Sequence, residues 1–164
     1  MSINLYHTFG IFFEIKRKIN TFEIKYRCSY DKDCFSTRIK NKAKFCPNCG
    51  AIVEETEINT GTRFLNVWEI EKESGLEEET LFGSMNNPKE YQKYFSINRN
   101  LENVINIDIS DNPDFNIFMS PNKTPEHYIK EALKNKEFKE ITNKLSATFN
   151  DDFKIHFGVF SYYI

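Results

Sequence analysis

Glycine and proline are scarce, six and five in 164 residues. That is too few for a long flexible linker, so we expect one compact domain, or one domain with a small appendage. No stretch is apolar for long enough to span a bilayer. Residues 3–13 carry scattered apolar side chains, but the basic run Lys16, Arg17, Lys18 follows them, the wrong order for a secretory signal. The expected setting is the reducing cytoplasm, with no membrane partner. Histidine is rare as well, and His7, His127 and His156 show no local nucleophile partner. There is no internal repeat.

What is present is aromatic and charged. Sixteen Phe and eight Tyr, within a hydrophobic share of 40%, supply ample core and exclude global disorder. The net charge of −2 is unevenly spread. Residues 1–50 balance at +6 and residues 51–164 at −8. A basic third joined to an acidic remainder implies a polyanion-facing surface or two parts that attract each other. Abundant Asn, Lys and Ile fit an AT-rich coding genome, such as that of a low-GC bacterium or its phage.

Cys28, Cys34, Cys46 and Cys49 fall within twenty-two residues. In a reducing compartment such a cluster reads as metal ligands rather than disulfides. Two thiolates separated by two residues reach one ion from a tight turn. Pro47 presets that turn, and Gly50 permits the positive φ that follows it. The segment Phe45-Cys46-Pro47-Asn48-Cys49-Gly50 resembles the zinc knuckle of zinc-ribbon and rubredoxin-like modules, whose second half commonly reads Cys-Pro-x-Cys-Gly. The resemblance covers residues 26–53 and implies a four-cysteine structural zinc site, closed to water. The first pair departs from the pattern. Five residues separate Cys28 from Cys34, so a wider loop must deliver both sulfurs. The alternatives are four free buried thiols, a histidine in place of Cys28 or Cys34, and an iron centre, against which the ligand spacing favours zinc.

Along the chain we expect an α+β fold. It would be a small N-terminal zinc ribbon (residues 1–60) with a β-hairpin on a mixed, mainly antiparallel sheet, and a body (61–164) packed by two C-terminal helices. Residues 9–19 and 21–28 alternate as two strands of a hairpin turning at Asn20 and Thr21. Residues 51–58 and 62–71 read as strands across an Asn59-Thr60-Gly61 turn, with Phe64, Trp68 and Ile70 in the core. Residues 71–79 read as a solvated loop or short helix, and residues 88–95 as a helical turn opened by Asn87 and Pro88. Residues 104–109 and 115–119 read as neighbouring strands. Thr124 and Pro125 open a helix with Tyr128, Ala132 and Leu133 on its stripe. Residues 137–149 form a second helix through Phe138, Ile141, Leu145 and Phe149, and residues 153–162 a final strand.

The leading functional expectation is a non-enzymatic zinc-ribbon protein that binds a protein partner, in the manner of a phage-type regulator or inhibitor of a host protein. Its contact face is expected at Tyr26, Arg27, Tyr30, Arg38 and Lys40. The same cations and aromatics suit phosphate contact and base stacking, so direct DNA or RNA binding is the second reading. A third is a metal-dependent nuclease using Asp108, Asp111 and Asp114, with Glu14-Ile15-Lys16 or Glu23-Ile24-Lys25 superficially similar to the Glu-x-Lys element of restriction-endonuclease-like enzymes. The plainer reading of the three aspartates is a turn. Residues 69–79 hold six Glu and one Lys, a solvated run or a mimic of nucleic-acid phosphates.

Overall fold

The computed structural model describes residues 5–30, 34, 43–82, 93–108 and 123–163. The chain is α+β and forms two compact units, Ile19–Thr62 and a larger one from Met1–Lys18 with Arg63–Ile164. Residues 5–18, expected with the ribbon, thus belong to the larger unit.

In the larger unit, β1 (Leu5–Ile15) is the centre of a five-stranded antiparallel sheet. Along one edge it pairs with β7 (Phe153–Tyr163), in register from Leu5↔Tyr163 to Ile15↔Phe153. Two short strands share its other edge. β6 (Asn106–Asp108) lies opposite Thr8, Phe9 and Gly10, and β5 (Tyr94–Ile97) opposite Phe13 and Glu14. β4 (Leu81–Phe82) pairs with β5. The Asn106 amide stitches β6 to β5, donating to Ser96 Oγ at 2.7 Å and Ile97 O at 3.3 Å. Gly10 is required here. A Cβ on it would stand 2.0 Å from the Ile105 carbonyl oxygen, so only glycine lets that backbone approach.

Successive β1 side chains point to opposite faces, which sorts the unit into layers. Phe9, Ile11, Phe13 and Ile15 are buried. Phe13 stacks on Phe138, ring centroids 5.8 Å apart, and Phe157 of β7 on Tyr128 at 4.4 Å. Those partners come from α3 (Lys136–Phe149) and α2 (Pro125–Ala132). The expected α3 stripe is the buried one, Phe138, Ile141, Leu145 and Phe149. Each such side chain stabilises the fold by about 1.5–3 kcal/mol when fully buried. Among the described residues, the eight largest fully buried side chains all belong to this unit, from Phe13 and Ile15 to Leu145 and Phe149.

Three local expectations are corrected. The hairpin at Asn20 does not form: β1 ends at Ile15, and β2 (Lys18–Cys28) pairs with β3 (Val53–Phe64) in a separate two-stranded sheet. β1 pairs along its whole length with β7, while the Lys16 N–H is taken by the Asp152 carbonyl at 2.9 Å. The turn at 59–61 is absent too, because β2 partners β3 through it. Thr60 Oγ1 meets Thr21 Oγ1 at 3.0 Å, and Gly61 absorbs a φ of 135°. Third, residues 67–74 are helical. In α1 (Val67–Ser74), Asn66 and Glu69 cap each other's backbone amides, and Gly75 ends the helix left-handed. Helical geometry therefore turns Trp68 out to 55% exposure, with the Lys72 ammonium 4.8 Å above its ring, whereas Ile70 is buried. The predicted strand at 115–119 and residues 88–92 of the predicted helical turn lie outside the described residues; Tyr94 and Phe95 belong to β5.

The glutamate run is not uniformly solvated. Glu69 forms a two-pronged pair with Arg63, and Glu71 is buried, accepting the Leu81 N–H at 2.8 Å. Glu77, Glu78 and Glu79 remain exposed.

Candidate metal centre

β2 runs straight into Cys28, whose neighbour Ser29 donates its N–H to the Ile52 carbonyl at 3.0 Å. On the far side of Ile52, Phe45 forms an antiparallel bridge, and Val53 N–H reaches the Lys44 carbonyl at 3.1 Å. Between these struts lies the Cys46-to-Cys49 turn. Cys46 N–H bonds Ala51 O at 2.7 Å, and Gly50 N–H bonds Cys46 O at 2.8 Å, with Gly50 at φ 73°. Glycine adopts that left-handed conformation freely, as the sequence pattern required.

The four sulfurs converge within 4.8 Å of one another. Cys28 and Cys49 lie 3.3 Å apart, Cys34 and Cys49 3.7 Å, and Cys34 and Cys46 3.8 Å. Sulfurs at the corners of a tetrahedron with bonds of about 2.3 Å are separated by about 3.8 Å, so the spacing fits one ion held by four thiolates. All four cysteines are free of disulfides, and no histidine joins the cluster. Cys28 and Cys46 are buried, while Cys34 is half-buried and Cys49 exposed.

The four thiols do not share one protonation behaviour. Backbone N–H groups of Asn48 and Cys49 aimed at Cys46 bring its pKa down to about 7. At Cys49 the Ala51 N–H lowers the pKa, but the Cys28 thiol, burial and the other two cysteines outweigh it, pushing it up to about 12. Cys34 follows the same logic. The Asn48 amide favours its thiolate, yet desolvation and its sulfur neighbours leave the pKa raised. One thiolate forms readily and then opposes the next, a conflict that a bound divalent metal removes.

Of the expected contact face, Tyr26 is half-buried, Arg27 exposed and Tyr30 82% exposed. Arg38 and Lys40 lie outside the described residues. Phe22, Ile24 and Ile52 were missed as surface; they and Phe45 are each at least half exposed. The alternation of Phe22, Ile24 and Tyr26 signals a strand with one apolar face, but among the described residues no second layer covers Phe22 and Ile24. Charge is divided by strand. Lys25 and Arg27 stand on β2, while β3 carries Glu54, Glu55 and Glu57. Among the described residues, the ribbon is therefore not the uniformly basic surface that residues 1–50 suggest.

The nuclease residues fare differently. Asp111 and Asp114 lie outside the described residues, as does the side chain of Asp108. Glu14 is buried in the larger unit. His156 Nε2 stands 3.0 Å from its carboxylate, and the ammonium groups of Lys93 and Lys16 stand at 3.3 and 3.8 Å. Burial raises its pKa, but the bonds from His156 and Lys93 and the lysine charges prevail, and the net shift is downward. Among the described residues, the four cysteines are the one cluster of metal-ligating side chains. No described helix is long and apolar enough to cross a membrane. No protein-family model, curated protein or solved structure matches the chain.

Proposed function

We propose that this is a non-enzymatic, cytoplasmic zinc-ribbon protein that works by binding another protein, with Cys28, Cys34, Cys46 and Cys49 holding one structural Zn2+. The observation that carries the reading is the exposure of Phe22, Ile24, Tyr30, Phe45 and Ile52 on a unit whose buried apolar side chains, among the described residues, are Cys28 and Cys46 alone. A metal-held scaffold that leaves several aromatic and aliphatic side chains exposed suits macromolecular contact better than solvation. In this reading zinc supplies rigidity and the exposed residues supply the contact. A role as regulator or inhibitor of a host protein, of the kind AT-rich phages encode, is the finer form; composition alone supports it.

Nucleic-acid binding is the second reading, favoured by Lys25, Arg27, Tyr26 and Tyr30 near one another on and just beyond β2. The acidic β3 weighs against it. Cross-linking of the zinc-loaded chain in lysate of its native host, with mass spectrometry of protein and nucleic acid, separates the two. A protein captured by the wild type and lost from Phe45→Ser and from zinc-stripped material supports the proposal. Capture of nucleic acid instead, weakened by added salt and by Arg27→Ala, overturns it.

A further inference from the structure

Within that reading, on which this inference rests, we propose that the outer edge of β2 takes up an acidic, extended segment of the partner protein as a third strand. Strand geometry carries the first part. Ser29 N–H and Thr21 C=O both face β3, the first bonding Ile52 O and the second accepting from Thr60 Oγ1. In an antiparallel pair the groups facing the partner belong to alternate residues. The N–H and C=O groups of Asn20, Phe22, Ile24 and Tyr26 therefore point away from β3, and among the described residues no other strand pairs there. The far edge of β3 differs: the knuckle occupies its start, through Phe45↔Ile52 and the Val53 bond to Lys44.

Exposed strand edges are commonly guarded by brevity, proline or charge, and of these β2 has only charge. β2 is eleven residues long, contains no proline, and on one face leaves Phe22 57% and Ile24 50% exposed. Its other face carries Lys25 and Arg27 beside a single acid, Glu23. An incoming strand alternates its side chains between the same two faces. Apolar residues would then cover Phe22 and Ile24, and carboxylates would meet Lys25 and Arg27. β3, on the inner edge, carries Glu54, Glu55 and Glu57, so the ribbon already holds acidic residues in a strand beside β2. The partner chemistry that fits is thus a strand of alternating apolar and acidic residues, held chiefly through its main chain.

The test uses the full-length, zinc-loaded chain and a displayed library of random dodecapeptides. Recovered peptides are expected to alternate apolar with acidic residues. N-methylation of every second residue in such a peptide, on the edge that would face β2, should weaken binding at least tenfold. Lys25→Glu with Arg27→Glu should do the same to the acidic peptide, and the doubly reversed chain should instead bind the peptide remade with lysines. Zinc content checks that the variants fold. Failure to recover peptides, recovery without alternation, indifference to N-methylation or indifference to charge reversal each overturns strand addition. Partner capture that is lost in Phe45→Ser but unchanged in the charge-reversed chain would leave the protein-binding role standing and remove β2 as its edge. Capture indifferent to both would remove the wider role.

Discussion

Removing the metal should unfold the smaller unit while the larger one stays folded. In residues 19–62, the described side chains less than a tenth exposed are Cys28 and Cys46, both of them ligands, so no independent apolar core offsets loss of the ion. Structural zinc in small metallo-domains contributes about 10–16 kcal/mol of apparent binding free energy near neutral pH. Shared over four thiolates, that is about 2.5–4 kcal/mol each, so Cys46→Ser should weaken zinc binding roughly 100- to 1000-fold. Atomic absorption should find one zinc per chain, and competition with a chromophoric chelator gives the affinity ratio. Amide hydrogen exchange then locates the change. After chelation, protection should vanish at Ser29, Cys46, Gly50 and Val53, whose N–H groups form the struts of the knuckle. It should persist at Ile11 and Ile15, bonded to Ile105 and Lys93 in the larger unit. If the four knuckle amides remain protected in metal-free protein, or all six lose protection together, the reasoning fails.

Three further outcomes follow from particular contacts. The folded-state pKa of Glu14 lies below its ordinary value of 4.5, so its stabilisation is present above that pH and is lost as pH falls through the lowered value. Glu14→Gln should flatten that part of an acid-unfolding profile and cost about 1 kcal/mol at neutral pH, because Lys93 and His156 each stay about a third or more exposed; an unchanged acid limb would refute this. Gly10→Ala forces a Cβ against the Ile105 carbonyl and the Asn106 Cα, all of it backbone, and should cost at least about 1–3 kcal/mol by urea midpoint; a midpoint within error of wild type would show that the strands can part without penalty. Asn66→Ala removes the cap accepted from Glu69 N–H at 2.9 Å and should cost about 1 kcal/mol with an unchanged denaturant slope.

The legible parts of the structure were those encoded locally. The α3 stripe needs only spacing, and the Cys-Pro-Asn-Cys-Gly turn needs only its own backbone, so both were readable without knowledge of the rest. Cys28 and Cys34 were placed because a metal demands four ligands and the chain offers four. Partner choice was not local. Nothing within residues 9–28 reveals that Phe13 pairs with Phe95 and Ile155 rather than with a strand a few residues on. Trp68 failed for a different reason. Phe64, Trp68 and Ile70 satisfy a period of two, but the Asn66–Glu69 capping box starts a helix between the first two, and the mutual caps prevail over the alternation. Glu71 belongs to the same class, a carboxylate in an acidic run that is drawn inward by one backbone N–H.

The pairing of β1 with β7 also governs how the protein is made. Leu5 must wait for Tyr163, and Ile15 for Phe153, before its long edge is satisfied. At about 5–20 residues per second, a ribosome needs of order ten seconds to deliver the second strand after the first. Throughout that interval Phe9, Ile11, Phe13 and Ile15 lie on a nascent chain without their eventual cover. A closely spaced set of β-branched and aromatic side chains in that state is a target for holding chaperones and a seed for aggregation. Slowed elongation should therefore lower the soluble yield more than a modest loss of folded-state stability would.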